Sequence, residues 1–151
     1  MNEILVNLNN YNYKVNADFI AFLKEQQPTN ERITLLMAHI VNAQQVWLER
    51  MSGKSMTVKP FDPRSLEDLI PQNQSNFEVT DEILNNRDLK ESIRYVNTKR
   101  QKFENTLEQM FLHLFNHSSY HRGQINQLLV HEGKPAMVSD YIVYNRTEIF
   151  E

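Results

Sequence analysis

The sequence predicts an all-α fold, a single-domain bundle of long helices over residues 1–151. Apolar residues recur every three or four positions over long stretches, and this spacing places them on one face of a helix. The chain has only 3 glycines and 5 prolines, too few for the frequent turns of an all-β sandwich. Its length is sufficient to bury one hydrophobic core.

The first helix is expected from residue 2 to residue 27, because Pro28 ends it. An asparagine-rich segment at residues 7–12 interrupts the apolar pattern. Periodicity alone therefore supports only the second half of this helix. The apolar positions of that half are Phe19, Ile20, Phe22 and Leu23.

A second helix is predicted from a cap at Thr29 or Asn30 to just before Gly53, where a glycine commonly follows a helix end. His39 lies beside its apolar stripe, at the edge of the expected core. Trp47 lies on the apolar side, where it is expected to pack in the core, a role compatible with forming a wall of a metal cavity. The stripe consists of Ile33, Leu36, Met37, Ile40, Gln44, Trp47 and Met51.

Residues 53–65 are expected to form an irregular connection, since they include two prolines. A third helix is predicted over residues 66–87, where Pro71 either introduces a kink or starts a new helix. Its apolar positions are Leu66, Leu69, Ile70, Phe77, Ile83 and Leu84.

Residues 92–97 and 102–104 carry strand-forming side chains and predict a short hairpin around a turn at residues 98–101. A helix through the whole stretch fits the intrinsic propensities equally well. Asn105 and Glu108 resemble the capping pair that opens a helix, so the last long helix is expected to begin there.

The last long helix is predicted to run to about Glu132, since Gly133 follows as a stop signal. Residues 139–151 are expected to form a short helix or a docked segment that covers an end of the bundle. The apolar stripe of the long helix consists of Leu107, Phe111, Leu114, Ser118, His121, Ile125 and Leu129.

The histidines of this helix predict a metal site. His117 and His121 are four residues apart, so they lie on one helix face with Cβ atoms about 5–6 Å apart. They deviate by about 80° and about 40° from the centre of the apolar stripe, whereas His113 deviates by about 120°. His39 is the candidate third ligand, and three neutral imidazoles leave a coordination position open. Alternatively, these histidines only satisfy backbone carbonyls.

Polar and small residues around this pair indicate a cavity or a close helix approach. Ser118 lies in the centre of the apolar stripe, and Gly123 costs about 1 kcal/mol relative to alanine in mid-helix. Gly123 is interpreted as a close-packing position. Arg122 forms either a salt bridge at the surface or at a subunit interface, or, like Gln124, a contact to a substrate anion or a metal ligand. His113 is interpreted as structural or as a contact of a metal ligand.

Charge and composition exclude several classes of function. The net charge is −3 and cysteine is absent, so no basic surface field, disulfide or thiolate metal site is expected. The cluster at residues 99–102 is best explained as a solvated turn, and no nucleic-acid partner is expected. No signal peptide and no membrane span is predicted, which favours a cytoplasmic protein.

Residues 112–125 resemble the signature of the DinB-like (DinB/YfiT) superfamily. Residues 93–97 and 103–107 look like the strand pair that precedes its last bundle helix, and residues 139–144 resemble its C-terminal segment. His39, with the preceding Leu36-Met37-Ala38, resembles the first histidine of the family. Lys99-Arg100 departs from many relatives, in which a glycine is frequent at this turn.

The resemblance implies an up-down-down-up four-helix bundle, commonly a homodimer, with a divalent metal, zinc or nickel, held by His39, His117 and His121. It also implies two alternative functions. One is a metal-dependent enzyme that transfers low-molecular-weight thiols to small electrophiles or hydrolyses small molecules. The other, which the sequence leaves open, is a non-catalytic metal-binding dimer in a stress response. The family name records induction by DNA damage and does not imply polymerase activity. No acidic residue is placed as an obvious general base.

Overall fold

The computed structural model describes residues 2–97 and 99–148, and it confirms the all-α prediction. The predicted turn residue Thr98 and the end of the predicted tail, residues 149–151, lie outside the described part. The helices are α1 (Glu3–Gln26), α2 (Glu31–Met51), α3 (Leu66–Asn86), α4 (Leu107–His131) and the short α5 (Tyr141–Asn145). Strands β1 (Ser92–Val96) and β2 (Lys102–Thr106) pair in antiparallel fashion between α3 and α4.

Helices α2 and α3 run parallel. The Asn76 side chain donates to the carbonyl of Val41 over 2.9 Å. Further along both helices, Arg87 donates to the carbonyl of Met51. Since both residue numbers increase together, the two helices point the same way, and the connection over residues 52–65 must return along the bundle.

Helices α1 and α4 also run parallel. The Asn2 side chain donates to Glu108 over 3.1 Å near the start of both helices. In the middle of both, Arg122 donates to Asn12 over 2.9 Å. Residue numbers again increase together, so α1 and α4 point the same way.

Helix α3 runs antiparallel to α1. Asn16 donates to Asn73 over 3.3 Å, whereas Lys24, further along α1, forms an ion pair with Glu67, which lies earlier in α3, over 3.2 Å. With α1 parallel to α4 and α2 parallel to α3, the bundle is up-down-down-up, as the resemblance implied.

Helix α1 is continuous through the asparagine-rich segment, so the interruption suggested by periodicity is wrong. Asn9 and Asn12 are buried, and their amides donate to the carbonyl of Phe77 and to Gln44 at 3.2 Å each. Buried amides that form hydrogen bonds are tolerated in a core, although Oδ1 of Asn9 has no partner among the described residues. These asparagines therefore serve as packing positions between helices rather than as a break.

The ends of α2 follow the sequence prediction. Asn30, not Thr29, is the N-cap, since its side chain accepts from the backbone N–H of Arg32 over 3.0 Å. Gly53 follows the helix with a φ of +65°, a left-handed conformation that favours glycine. Pro71 lies inside α3, which continues as one helix, so the alternative of a new start at this residue is wrong.

The hairpin exists, and the predicted cap of the last helix is off by one residue. Thr106 accepts from the N–H of Gln109, and the Gln109 side chain accepts from the N–H of Thr106 in return. Asn105 belongs to β2 and accepts a bond from Tyr95. At the turn, Arg100 adopts a φ of +61°, a left-handed conformation that favours glycine. This agrees with the expectation that glycine is frequent at this turn in relatives.

The C-terminal tail packs along the side of the bundle rather than over its end. The Tyr11 hydroxyl, from the middle of α1, donates to the carbonyl of Ser139. The rings of Tyr141 and Tyr144 pack edge to face on Tyr11, with centroids 5.2 and 5.5 Å away. Across the described ranges, none of the helices combines the length and apolarity that a membrane crossing would need.

Candidate metal centre

Helices α2 and α4 place three histidines opposite one another. His39 comes from α2, and His117 and His121 come from successive turns of α4. The Nε2 atom of His117 lies 3.1 Å from the Nε2 atoms of both His39 and His121. One ligand atom from each ring falls within 4.8 Å of the others. The structure thus brings together the three histidines that the sequence selected.

Hydrogen bonds at the opposite ring nitrogens set the tautomers of two of these histidines. His39 Nδ1 lies 2.9 Å from the carbonyl oxygen of Pro60, and His121 Nδ1 lies 2.7 Å from Oε1 of Gln124. Both oxygens can only accept, so each Nδ1 carries the proton. In the neutral rings, the Nε2 lone pairs of His39 and His121 therefore point to the common centre.

This arrangement fits a small cation. Nitrogen ligands about 2.0–2.1 Å from a tetrahedral ion lie about 3.3 Å apart, close to the two separations of 3.1 Å. The Nε2 lone pairs of His39 and His121 are both directed at Nε2 of His117. That atom carries at most one proton, so it can donate to only one of the two lone pairs. A bound cation would satisfy all three nitrogens, and the accepting oxygens would orient the rings as metal-bound histidines usually require.

Burial disfavours protonation of two of the three histidines, His117 and His39. Burial, together with the neighbouring rings of His121 and His39, lowers the pKa of His117 to about 3. Burial also lowers the pKa of His39, although its bond to Pro60 opposes this. His39 is only 5% exposed, whereas His117 and His121 are half-buried. Neutral imidazoles are the form that binds metal.

Comparison with known proteins places the chain in a family. The sequence profile of the DinB family matches residues 7–150, nearly the whole chain. The chain belongs to the DinB family. No individually curated protein matches it.

The connection between α2 and α3 supplies two residues of this DinB site that sequence reasoning missed. Besides the bond from His39 to Pro60, the Phe61 ring stacks on the His39 ring with centroids 3.9 Å apart and planes 7° apart. Phe61 is nonetheless 57% exposed. The only sequence signal was an aromatic residue directly after a proline, which is not specific.

Trp47 and His113 lie beside the centre without joining it. Trp47 packs edge to face on Tyr95 and on His113, with centroids 5.1 and 5.2 Å apart. His113 is exposed, and its ring centroid lies 5.5 Å from that of His117. The predicted role of Trp47 as a packing residue therefore agrees with its contacts, and His113 contacts a candidate ligand.

Two expectations for the residues around the histidine pair are wrong. Arg122 does not form a surface or interface salt bridge, because it is only 1% exposed and donates to Asn12 and Asn16. Gly123 is not a close-packing position, since a Cβ built on it would meet nothing within 4 Å. Ser118, by contrast, is buried in the core, as its place in the stripe predicted.

Proposed function

We propose that this DinB-family protein binds a divalent metal, zinc or nickel, through His39, His117 and His121. We further propose that it is a metal-dependent enzyme acting on small molecules, of the thiol S-transferase or hydrolase type. The observation that supports this most is the convergence of three Nε2 atoms, with separations of 3.1 Å from His117 to each of the other two.

The ligand set favours a reactive site over a purely structural one. Three protein ligands leave a tetrahedral ion with an open position, whereas structural zinc sites usually use four. A bound divalent ion with an open position lowers the pKa of a water or thiol that reaches it. Within the described part of the chain, no carboxylate joins the three-histidine group, which favours activity that depends on the metal over a dedicated general base.

The surroundings offer room for a small substrate. Phe61 stacks on His39 and also lines a cavity of about 680 Å³ that lies beside the histidines, with Glu31, Arg32 and Arg64 as its charged residues. This volume lies within the range of small-molecule sites. With two arginines against one glutamate, this cavity would favour a substrate that carries negative charge, and the Phe61 ring would contact its apolar part.

Elemental analysis of untagged protein tests the metal site. We expect about one equivalent of metal in the wild type. His117→Ala should lose it, because only two imidazoles, one from each helix, are left to hold the ion. His131→Ala is the matched control, since His131 is an exposed histidine in the last turn of the same helix. Equal metal contents in wild type and His117→Ala would refute the three-histidine site.

Turnover tests the enzymatic part. Metal-loaded protein would be assayed with several low-molecular-weight thiols and a chromogenic electrophile, and separately with an activated ester. We expect activity in one of these assays that disappears on chelation and returns with metal. Activity that persists in metal-free protein would refute the mechanism. Metal binding without turnover in any assay would instead support the non-catalytic metal-binding dimer.

A further inference from the structure

A buried arginine lies on a different face of α4 from the three histidines. The Arg122 side chain points to α1, where Nη1 donates to Oδ1 of Asn12 and of Asn16 over 2.9 and 2.8 Å. Its Nη2 donates to Ser119 over 3.0 Å and to the Tyr11 hydroxyl over 3.4 Å. Only 1% of the surface of Arg122 is exposed to solvent.

The positive charge of Arg122 has no counter-ion in the part of the chain that the structure describes. Its described partners are amide and hydroxyl oxygens, and Nε has no acceptor among the described residues. Burial accordingly lowers the pKa of the guanidinium, yet an arginine stays protonated in proteins. A buried charge without a partner is costly, so the fold retains it at an energetic disadvantage.

A cavity of about 390 Å³ adjoins this arginine. Arg122, Tyr11 and Ser119 are among the polar residues that line it, whereas Leu8 and Phe115 line it with apolar surface. Gly123 also lines the cavity, and a Cβ atom added to it would meet no other atom within 4 Å. The C-terminal tail contributes Tyr141. A concave, partly apolar site with a few convergent polar groups is the usual form of a small-molecule site.

We propose that this cavity binds a small carboxylate with an apolar body, whose carboxylate group accepts hydrogen bonds from Nε of Arg122, the guanidinium donor without a partner among the described residues, and from the Ser119 hydroxyl. The carboxylate would supply the counter-ion that the guanidinium lacks, and charge-assisted bonds of this kind are stronger than neutral ones. The apolar body would lie against Leu8 and Phe115. Asp140 lines the same cavity but is exposed, which limits its repulsion of a bound anion.

This site goes beyond the proposed function, because it needs no metal. The histidines of α4 face His39 on α2, whereas Arg122 faces Tyr11, Asn12 and Asn16 on α1. A carboxylate could also bind a metal ion directly. The test must therefore separate the two locations.

Benzoate is a suitable probe, with benzamide as its neutral analogue and inorganic phosphate as a second anion. In a titration followed by amide resonances, we expect saturable shifts at Ser119, Gly123 and Tyr141 with benzoate, and at least tenfold weaker binding of benzamide and phosphate. The same shifts are expected in His117→Ala, since that variant changes only the metal centre. Benzoate shifts that vanish in His117→Ala would place the binding at the metal and overturn the proposal.

Two variants at position 123 test the cavity without changing the arginine. We expect Gly123→Leu to weaken benzoate binding at least tenfold by filling the space, whereas Gly123→Ala, with one added carbon, leaves it within about twofold. Both replace a helical glycine, so both should fold. Arg122→Gln is expected to abolish binding, but it also loses bonds to Asn12 and Asn16. Benzamide binding as tight as benzoate, equal phosphate binding, unchanged binding to Gly123→Leu, or no saturable response at millimolar benzoate would each overturn the proposal.

Discussion

Replacing Gln124 by leucine should weaken metal binding without removing a ligand. His121 Nδ1 lies 2.7 Å from Gln124 Oε1, and this bond holds the proton on Nδ1 and the lone pair on Nε2. Removing a hydrogen-bond partner of a metal ligand typically lowers the metal affinity by about 10- to 100-fold, which corresponds to about 1.4–2.7 kcal/mol of binding free energy. Because Pro60 still orients His39, we expect a loss of about 10-fold with the stoichiometry unchanged.

Competition for zinc with a chromophoric chelator at about pH 7 measures this loss. Gln127→Leu is the matched control, since Gln127 is an exposed residue on the same helix, about one turn further along. The control should bind zinc like the wild type. If Gln124→Leu also retains wild-type affinity, the inference that this hydrogen bond sets the tautomer of His121 is wrong. If both variants lose affinity equally, the effect belongs to the helix and not to the histidine.

Four further predictions concern stability. Gly123→Ala should stabilise the protein by about 1 kcal/mol and raise Tm by about 2–4 °C, because α4 is regular there and the added carbon meets nothing. Gly53→Ala should instead destabilise it, since Gly53 has a φ of +65°. Thr106→Ala should cost about 1 kcal/mol in thermal unfolding by removing the cap of α4, whereas Thr106→Ser should retain most of the stability. As the pH falls from about 6.5 to about 3, the free energy of unfolding of the metal-free protein should decrease. His117 contributes at most about 1.4 kcal/mol per pH unit to this decrease, which urea unfolding measures.

Acid destabilises the metal-free fold because the pKa of His117 is about 3 in the folded chain and about 6.5 when unfolded. As the pH falls below the unfolded value, the unfolded state takes up a proton that the folded state excludes, so unfolding becomes more favourable. His117→Gln should flatten this dependence. An equal slope in the variant would assign the effect to other groups. A lowered Tm in Gly123→Ala, or no change in Thr106→Ala, would contradict the corresponding structural interpretations.

The parts of the fold that depend on local patterns could be predicted from the sequence. The apolar stripe of α2 and the stop signals after α2 and α4 depend on residues close together in the chain, and the structure confirms them within a few residues. The histidine centre followed in the same way, because the four-residue spacing of His117 and His121 fixes their common face. Only the choice of His39 required an assumption about which helices are neighbours.

The errors arose where a residue's partner is distant in sequence. Arg122 is separated from Asn12 by 110 positions and from Asn16 by 106, so neither periodicity nor propensity connects them. Asparagines in an apolar stretch and an arginine near the core each looked unfavourable alone. In the fold Asn12 and Asn16 accept hydrogen bonds from Arg122, and this explains why the predicted break in α1 and the predicted salt bridge of Arg122 failed together.

The segment from His117 to Gln124 divides its chemistry between two neighbours of α4. Positions four apart on a helix differ by about 40°, whereas adjacent positions differ by about 100°, so His121 and Arg122 cannot serve the same face. His117 therefore meets His39 on α2, whereas Arg122 meets α1 and bonds to Ser119 of its own helix. One short motif can thus contribute to two separate polar clusters, and treating it as a single metal signature assigns Arg122 to the wrong one.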